Sequence, residues 1–371
     1  MDLKPCVFLK ERLHQLKKDK TKLWKTAMLS SIVLFLFASS AFSWHLLKKN
    51  PAPDMKKNYA AQNAEEGKGE QTMEDCPDCV RRSLDGVMVE EKYSNLPPVA
   101  VMIDNHPSAR PPKGLDKAGL VYEAEVEGNY TRYMAVFSAA DGPEEIGPVR
   151  SARSYFLDWA AELGAVYGHC GGSPDALAKI IQKGVPDLNE FYNGQYFWRD
   201  NERSAPHNVT TSWGNLEKYL ENKNIDSGDF SVWKFKDDEK PKIATTSKID
   251  ISFNHPDFKV EWHYDNRDND YTRYVSGKQQ MTEDGTPIKA KNILIQTIPA
   301  KVVDDKLRLE MNPIGEGPAV ICVDGTCKTG KWIKGGFRER TMFYLDNGQE
   351  AQLNAGQTWV EVVRPEIEVI Y

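Results

Sequence analysis

The chain has 371 residues, 40% of them hydrophobic, which is enough for one large or two modest domains with real cores. Its 48 Lys and Arg against 54 Asp and Glu give a formal net charge of −6, and Lys4, Lys10, Arg12, Lys17, Lys18, Lys20, Lys22 and Lys25 all stand near the start, so the remainder is more acidic still. That balance excludes nucleic acid or an anionic lipid surface as the main partner, and any anion site must be a local cluster working against the global field.

Thr26 to Leu47 carries no Asp, Glu, Lys or Arg and is long enough to cross a bilayer core of roughly 30 Å at about 1.5 Å per residue. Only Lys48 and Lys49 follow it closely. The positive-inside bias therefore predicts a cytoplasmic basic tail (1–25), one transmembrane helix (26–47) and an extracytoplasmic remainder, with Trp24 and Trp44 as interfacial anchors. The alternative is a long signal peptide cut near Ser39-Ser40-Ala41, but the apolar run exceeds the roughly 7–15 residues usual for a signal core. Residues 48–94 are polar, with Pro51 and Pro53, and read as an extracytoplasmic tether.

Cysteine usage agrees with an oxidising compartment. Cys322-Val-Asp-Gly-Thr-Cys327 reads as two strand ends joined by an Asp-Gly turn, and a Cys322–Cys327 disulfide is expected there. Cys76-Pro-Asp-Cys79 lacks the strand and helix that position a redox thiol, so a local or intermolecular disulfide is the better reading. No small-residue lipobox precedes Cys6, and Cys170 is left unassigned.

Order is expected from Pro98-Val-Ala-Val-Met-Ile103, a strand that delivers Asp104-Asn105-His106 at its end. Leu120 to Glu127 alternates, with Glu123, Glu125 and Glu127 sharing one surface. Gly128-Asn129 then forms a two-residue turn into Tyr130–Phe137, a register that sets Glu125 opposite Arg132. Ile146 to Arg153 leads into a helix with Ser151 as N-cap and Gly164 as terminator, which places Arg150 and Arg153 at the helix start. A short strand ends at His169, and a second helix has Ser173 as cap, Pro174 at its first position and Gly184 beyond its end. Aromatic residues from Phe191 to Trp198 pack over the core by default, with stacking on sugar rings as the alternative. Another helix is expected from Ser212 to Glu221. The charged stretch Lys234 to Lys242 marks a boundary between an α/β domain (95–235) and a mainly antiparallel β-rich domain (236–371).

Two arginines at a helix N-terminus oppose the macrodipole, so an anion is expected nearby, either a bound phosphate or carboxylate or the protein's own Glu123, Glu125, Glu127 or Glu144. Asp104, Glu127, His169 and His207 supply acid–base groups around Arg132, Arg150 and Arg153. No His-x-x-x-His or Glu-x-x-His pair fixes a metal geometry, so no metal or cofactor is assigned. Neither Cys170 nor Ser173 sits in a nucleophile frame such as Gly-x-Ser-x-Gly, so the catalytic residues stay unassigned.

Pro98-Val-Ala-Val-Met-Ile-Asp-Asn105, Arg110-Pro111, Val121-Tyr-Glu123, Val126-Glu-Gly128, Thr131-Arg132, Ile146 to Arg153, His169 with Gly171-Gly172, and Ala205-Pro-His-Asn208 resemble the YerB-like proteins of Gram-positive bacteria. Trp262-His-Tyr-Asp265, Arg273-Tyr274, Ala290-Lys-Asn292, Gly315-Glu-Gly317 and Gly356-Gln-Thr-Trp359 extend the resemblance to the end of the chain. It implies a cell-envelope protein with two domains of unknown function, the first an α/β sandwich, and supplies no catalytic assignment. The usual lipidated cysteine is missing here, with the span Thr26–Leu47 in its place.

The leading expectation is a membrane-anchored extracytoplasmic protein that recognises an anionic envelope ligand, such as a phosphate-bearing wall polymer, through Asp104, Glu127, Arg132, Arg150, Arg153, His169 and His207. The competing expectations are a hydrolase or transferase acting on cell-wall material with Asp104 or Glu127 as base, and a module that regulates another envelope protein.

Overall fold

The computed structural model of the chain describes residues 78–371. The basic tail, the expected span Thr26–Leu47, Cys6, Cys76 and most of the tether lie outside the described residues, among which no helix is long and apolar enough to cross a membrane. Order begins before the expected boundary at 95: Cys79–Arg81 pairs with Met88–Glu90, and Leu84 between them is buried in the core. Cys79 is disulfide-bonded.

The first half contributes β1 (Val99–Asp104), β2 (Leu120–Glu125), β3 (Thr131–Phe137), β4 (Val166–His169) and β5 (Asp187–Asn189), with helices α1 (Ser154–Ala161), α2 (Pro174–Lys183) and α3 (Trp213–Lys223). The second half contributes β6 (Lys248–Ser252), β7 (Lys259–Asp265), β8 (Asp270–Val275), β9 (Lys278–Gln279), β10 (Lys289–Ala290) and β11 (Asn292–Thr297). It continues with β12 (Gly315–Val323), β13 (Thr326–Lys334), β14 (Met342–Leu345), β15 (Thr358–Val363) and β16 (Glu368–Ile370).

A ten-stranded mixed sheet runs β14-β13-β12-β11-β15-β2-β3-β1-β4-β5, and strands from both halves enter it. The junction is parallel: β15 pairs with β11 on one side and with β2 on the other. The second half is therefore not confined to an antiparallel sheet of its own. β11 and β15 are buried on both faces, the pattern of central strands, whereas β6, β7 and β8 alternate and form the smaller sheet β9-β8-β7-β6-β16. The expected boundary at 235/236 falls inside Lys234–Lys236, which pairs with Gln352–Asn354.

Alternation along the shared strands builds three layers. Ala100, Met102, Tyr122 and Met134 face α1 and α2 through Phe156, Trp159 and Ile180. Val101, Val121, Tyr133 and Ala135 face α3 and the smaller sheet through Leu216, Trp262 and Tyr271. Across the β12–β13 hairpin Cys322 stands opposite Cys327 and the two form a disulfide, with Asp324 and Gly325 both at positive φ in the turn.

Two local expectations need correction. The hairpin between β2 and β3 has a three-residue turn, Glu127–Asn129, with Gly128 and Asn129 both at positive φ, so Glu125 pairs with Thr131 and Arg132 with Ala124. The slip moves Arg132 out of register with Glu125. Helix α1 starts at Ser154 with Arg153 as its N-cap residue, because Ser151 belongs to an extended segment and gives its carbonyl to Arg132. Gly164, at positive φ, follows the helix, and Ser173, Pro174 and Gly184 bound α2 in the order expected.

Candidate functional site

Ile146 to Arg153 carries Pro148, which lacks an N–H and keeps its neighbour extended. The segment lies across the ends of β1 and β4: Asp104 N donates to Pro148 O at 2.8 Å, Arg150 N to Met102 O at 2.8 Å, and Ala152 N to Gly171 O at 3.0 Å. Its side chains thereby meet the residues that follow the strands.

At the end of β1, Asp104 Oδ2 stands 2.7 Å from His207 Nδ1 and 3.0 Å from Arg150 Nε, while Oδ1 accepts the His106 N–H at 3.0 Å. Burial alone would raise the Asp104 pKa, but the charges of Arg132 and Arg150 and the bonds from His106 and His207 outweigh it and hold the carboxyl below the usual range. His207 turns Nδ1 to the carboxylate, and no described residue hydrogen-bonds its Nε2. The His207 ring stacks on His106 at 4.6 Å between centroids, His106 on Tyr130 at 5.2 Å, and Tyr130 on His255 at 5.0 Å. Burial, then the nearby His207, lowers the His106 pKa.

A second cluster adjoins the first. Arg153 holds Glu127 with two bonds, Nε to Oε2 at 2.8 Å and Nη2 to Oε1, and donates from Nη1 to Ala152 O at 2.6 Å. Arg132 donates from Nη1 to Ser151 O at 2.7 Å and has Nη2 3.9 Å from Glu127 Oε1. Burial and the nearby Arg153 push Arg132 down to about 10, and its positive charge acts on both Asp104 and Glu127. Burial would raise the Glu127 pKa, yet Arg153 and Arg132 hold it low. The arginines that oppose the α1 dipole thus meet the protein's own carboxylates.

His169 stands apart from both clusters. It is fully buried, with Nδ1 2.8 Å from Gly171 O and Nε2 2.8 Å from Asp187 Oδ1, so both nitrogens serve the β4–β5 connection. The expected surface of three carboxylates is internal at two of them: Glu123 binds Arg273, Asn105 and Thr131, and Glu125 binds Arg364 and Asn254. Cys170 is free, and burial with Glu190 beside it pushes its thiol up to about 11, which suits no nucleophile.

Beside the second cluster lies a cleft of about 400 Å³ lined by Glu127, Ser151, Arg153, Gly172, Ser173, Pro174, Lys306 and Arg308. It opens at the N-terminus of α2 and gathers three cations against one lining carboxylate. Sequence reading missed Lys306 and Arg308, which come from the far half of the chain. It also missed His106, Tyr130 and His255, whose stack joins three distant segments; His106 alone carried a signal, its place directly after the β1 end.

Two family models match the chain, the N-terminal domain of a protein of unknown function, DUF3048, over residues 84–226 and the C-terminal domain of the same family over 249–360. The chain belongs to this family, the YerB-like proteins. It is 30% identical over 298 residues to the protein named "Putative lipoprotein YerB" of Bacillus subtilis (strain 168), covering 76% of this chain and 86% of that one. The crystal structure of YerB from Bacillus subtilis superposes with a TM-score of 0.70 at 28% identity and covers 79% of this chain and all of that one.

Proposed function

We propose that the protein is an envelope protein anchored in the membrane through Thr26–Leu47, with its folded part outside the cytoplasm, that binds an anionic ligand such as a phosphate-bearing wall polymer or its precursor. The observation that carries this reading is the cleft at the start of α2, where Arg153, Lys306 and Arg308 gather on a chain of net charge −6. Lys306 is the cation there with no ion pair to a described residue, whereas Arg308 pairs with Asp304 and Arg153 with Glu127. The extracytoplasmic placement is supported by the lysine bias before the span and by the name of the Bacillus relative. Calorimetric titration of the full-length chain with poly(glycerol phosphate) tests the reading. Binding that weakens at high salt and in Lys306→Glu supports it, and absence of binding to the wild type rejects it.

A second reading is favoured by one geometry. The lowered carboxyls of Asp104 and Glu127 make weak bases, so if this site performs a transfer or hydrolysis the proton acceptor is His207 Nε2, oriented by Asp104 on Nδ1. Turnover of a phosphodiester by the wild type and its loss in His207→Ala would establish this reading; equal rates in both would remove it.

A further inference from the structure

Phe191 and Tyr192 follow β5 and are 65% and 81% exposed, whereas Tyr196 and Phe197 of the same connection are core residues. The connection is thus divided, and its first pair is held outward. Asn189, itself 1% exposed, fixes that pair: its Oδ1 accepts the N–H of Phe191 at 3.2 Å, and its carbonyl accepts the N–H of Tyr192 at 3.1 Å. The same Oδ1 accepts the N–H of Gly171 at 3.1 Å, so one side chain ties the aromatic turn to the glycine pair after β4. Gly171 has a positive φ, and a methyl group on it would stand 3.0 Å from Phe191 Cε2 and Cζ. The next residue, Gly172, lines the cationic cleft. The exposed Phe191 ring and the cleft therefore border the two members of one glycine pair.

We propose that Phe191 and Tyr192 form a stacking platform for a sugar ring whose anionic substituent lies in the cleft, so that the ligand is a phosphorylated glycan. This rests on the anion-cleft reading and adds the sugar to it. The aliphatic C–H face of a pyranose packs on an aromatic ring, and a backbone held by a tight turn keeps the pair directed outward before a ligand arrives. The cations of the cleft complement a phosphate on that sugar. A lipid surface fits the pair poorly, because the chain is net acidic.

The test is calorimetric titration of the full-length chain with N-acetylglucosamine 1-phosphate and with inorganic phosphate, for the wild type and for Phe191→Ala/Tyr192→Ala. The sugar phosphate should bind the wild type about tenfold more tightly than phosphate does. The double variant should lose that margin, keep its phosphate affinity and melt at the wild-type temperature. Phosphate binding without a sugar preference, or a preference that survives in the variant, overturns the platform and leaves the cleft reading intact. A wild type that binds neither probe overturns both.

Discussion

Arg273 of β8 forms an ion pair with Glu123 of β2 across 150 residues of sequence, and neither side chain has any exposure to solvent. The guanidinium also lies 4.6 Å from the centroid of the Trp359 ring, 5.4 Å from that of Trp262 and 5.6 Å from that of Tyr133. A buried pair of this kind is costly to break from one side, because the partner left behind remains charged in a dry site. Arg273→Met should lower unfolding free energy by about 3–5 kcal/mol, as measured by urea titration. A loss below about 1 kcal/mol would mean that Glu123 finds another partner.

Beside that pair lies Glu361, which accepts the Trp262 indole N–H at 2.8 Å. Burial, then repulsion from Glu123, pushes its carboxyl up to about 8, while Arg273 opposes the shift. In the unfolded chain a glutamate titrates near about 4.3, so between the two values folding retains a proton that unfolding would release. The stability contributed by this group is complete below the lower value, falls as pH rises toward 8, and levels off above it. Glu361→Gln cannot lose a proton and should show a flatter stability curve from about pH 5 to 8, with its largest advantage over wild type at the alkaline end. Parallel curves for the two proteins would show that Glu361 is ionised in the folded state.

Arg153→Ala removes both bonds to Glu127, whose side chain is 34% exposed. Since water can replace part of what is lost, the expected destabilisation is about 1–2 kcal/mol. Lys306→Ala, which breaks no ion pair with a described residue, should leave the melting temperature unchanged. Differential scanning calorimetry on the two variants separates a structural cation from a free one.

The Cys322–Cys327 disulfide closes a short loop, with a sequence separation of 5, and so constrains the unfolded chain only modestly. The double Ser variant should lose about 2 kcal/mol by the chain-entropy estimate and keep the hairpin, because Gly325 N still donates to Tyr271 Oη and Asp324 still binds Asn269 and Asn354. Proton–deuterium exchange at β12 and β13 reports whether the pairing survives.

Among the described residues, sequence periodicity made most strands and all three α-helices legible, because local apolar spacing encodes them directly. It could not show that β11 and β15 leave their own half, since a run buried on both faces states that it is central but not to which sheet it belongs. Asp104, Arg150 and His207 were legible as strand-end and motif residues, and they do meet. His169 carried the same signal and went elsewhere, because Asp187, which holds it, arrives from the next strand. The alternation of Glu123 and Glu125 signified a polar face, yet the chain supplies Arg273 and Arg364 to that face from the second half, so it is interior. Phe191 and Tyr192 read as core by composition; only the Asn189 turn reveals that they point outward.

The place of β15 between β2 and β11 has a consequence for how the polypeptide matures. Emerging from its N-terminus, the chain completes β1 to β5 while β2 still offers an open hydrogen-bonding edge, and its neighbour comes from near the C-terminus. Until then that edge is a template for pairing with other chains. A protein ended after residue 235 should consequently self-associate, as read by its sedimentation. The entry of β15 would then act as the closing of a clasp on the β2 edge.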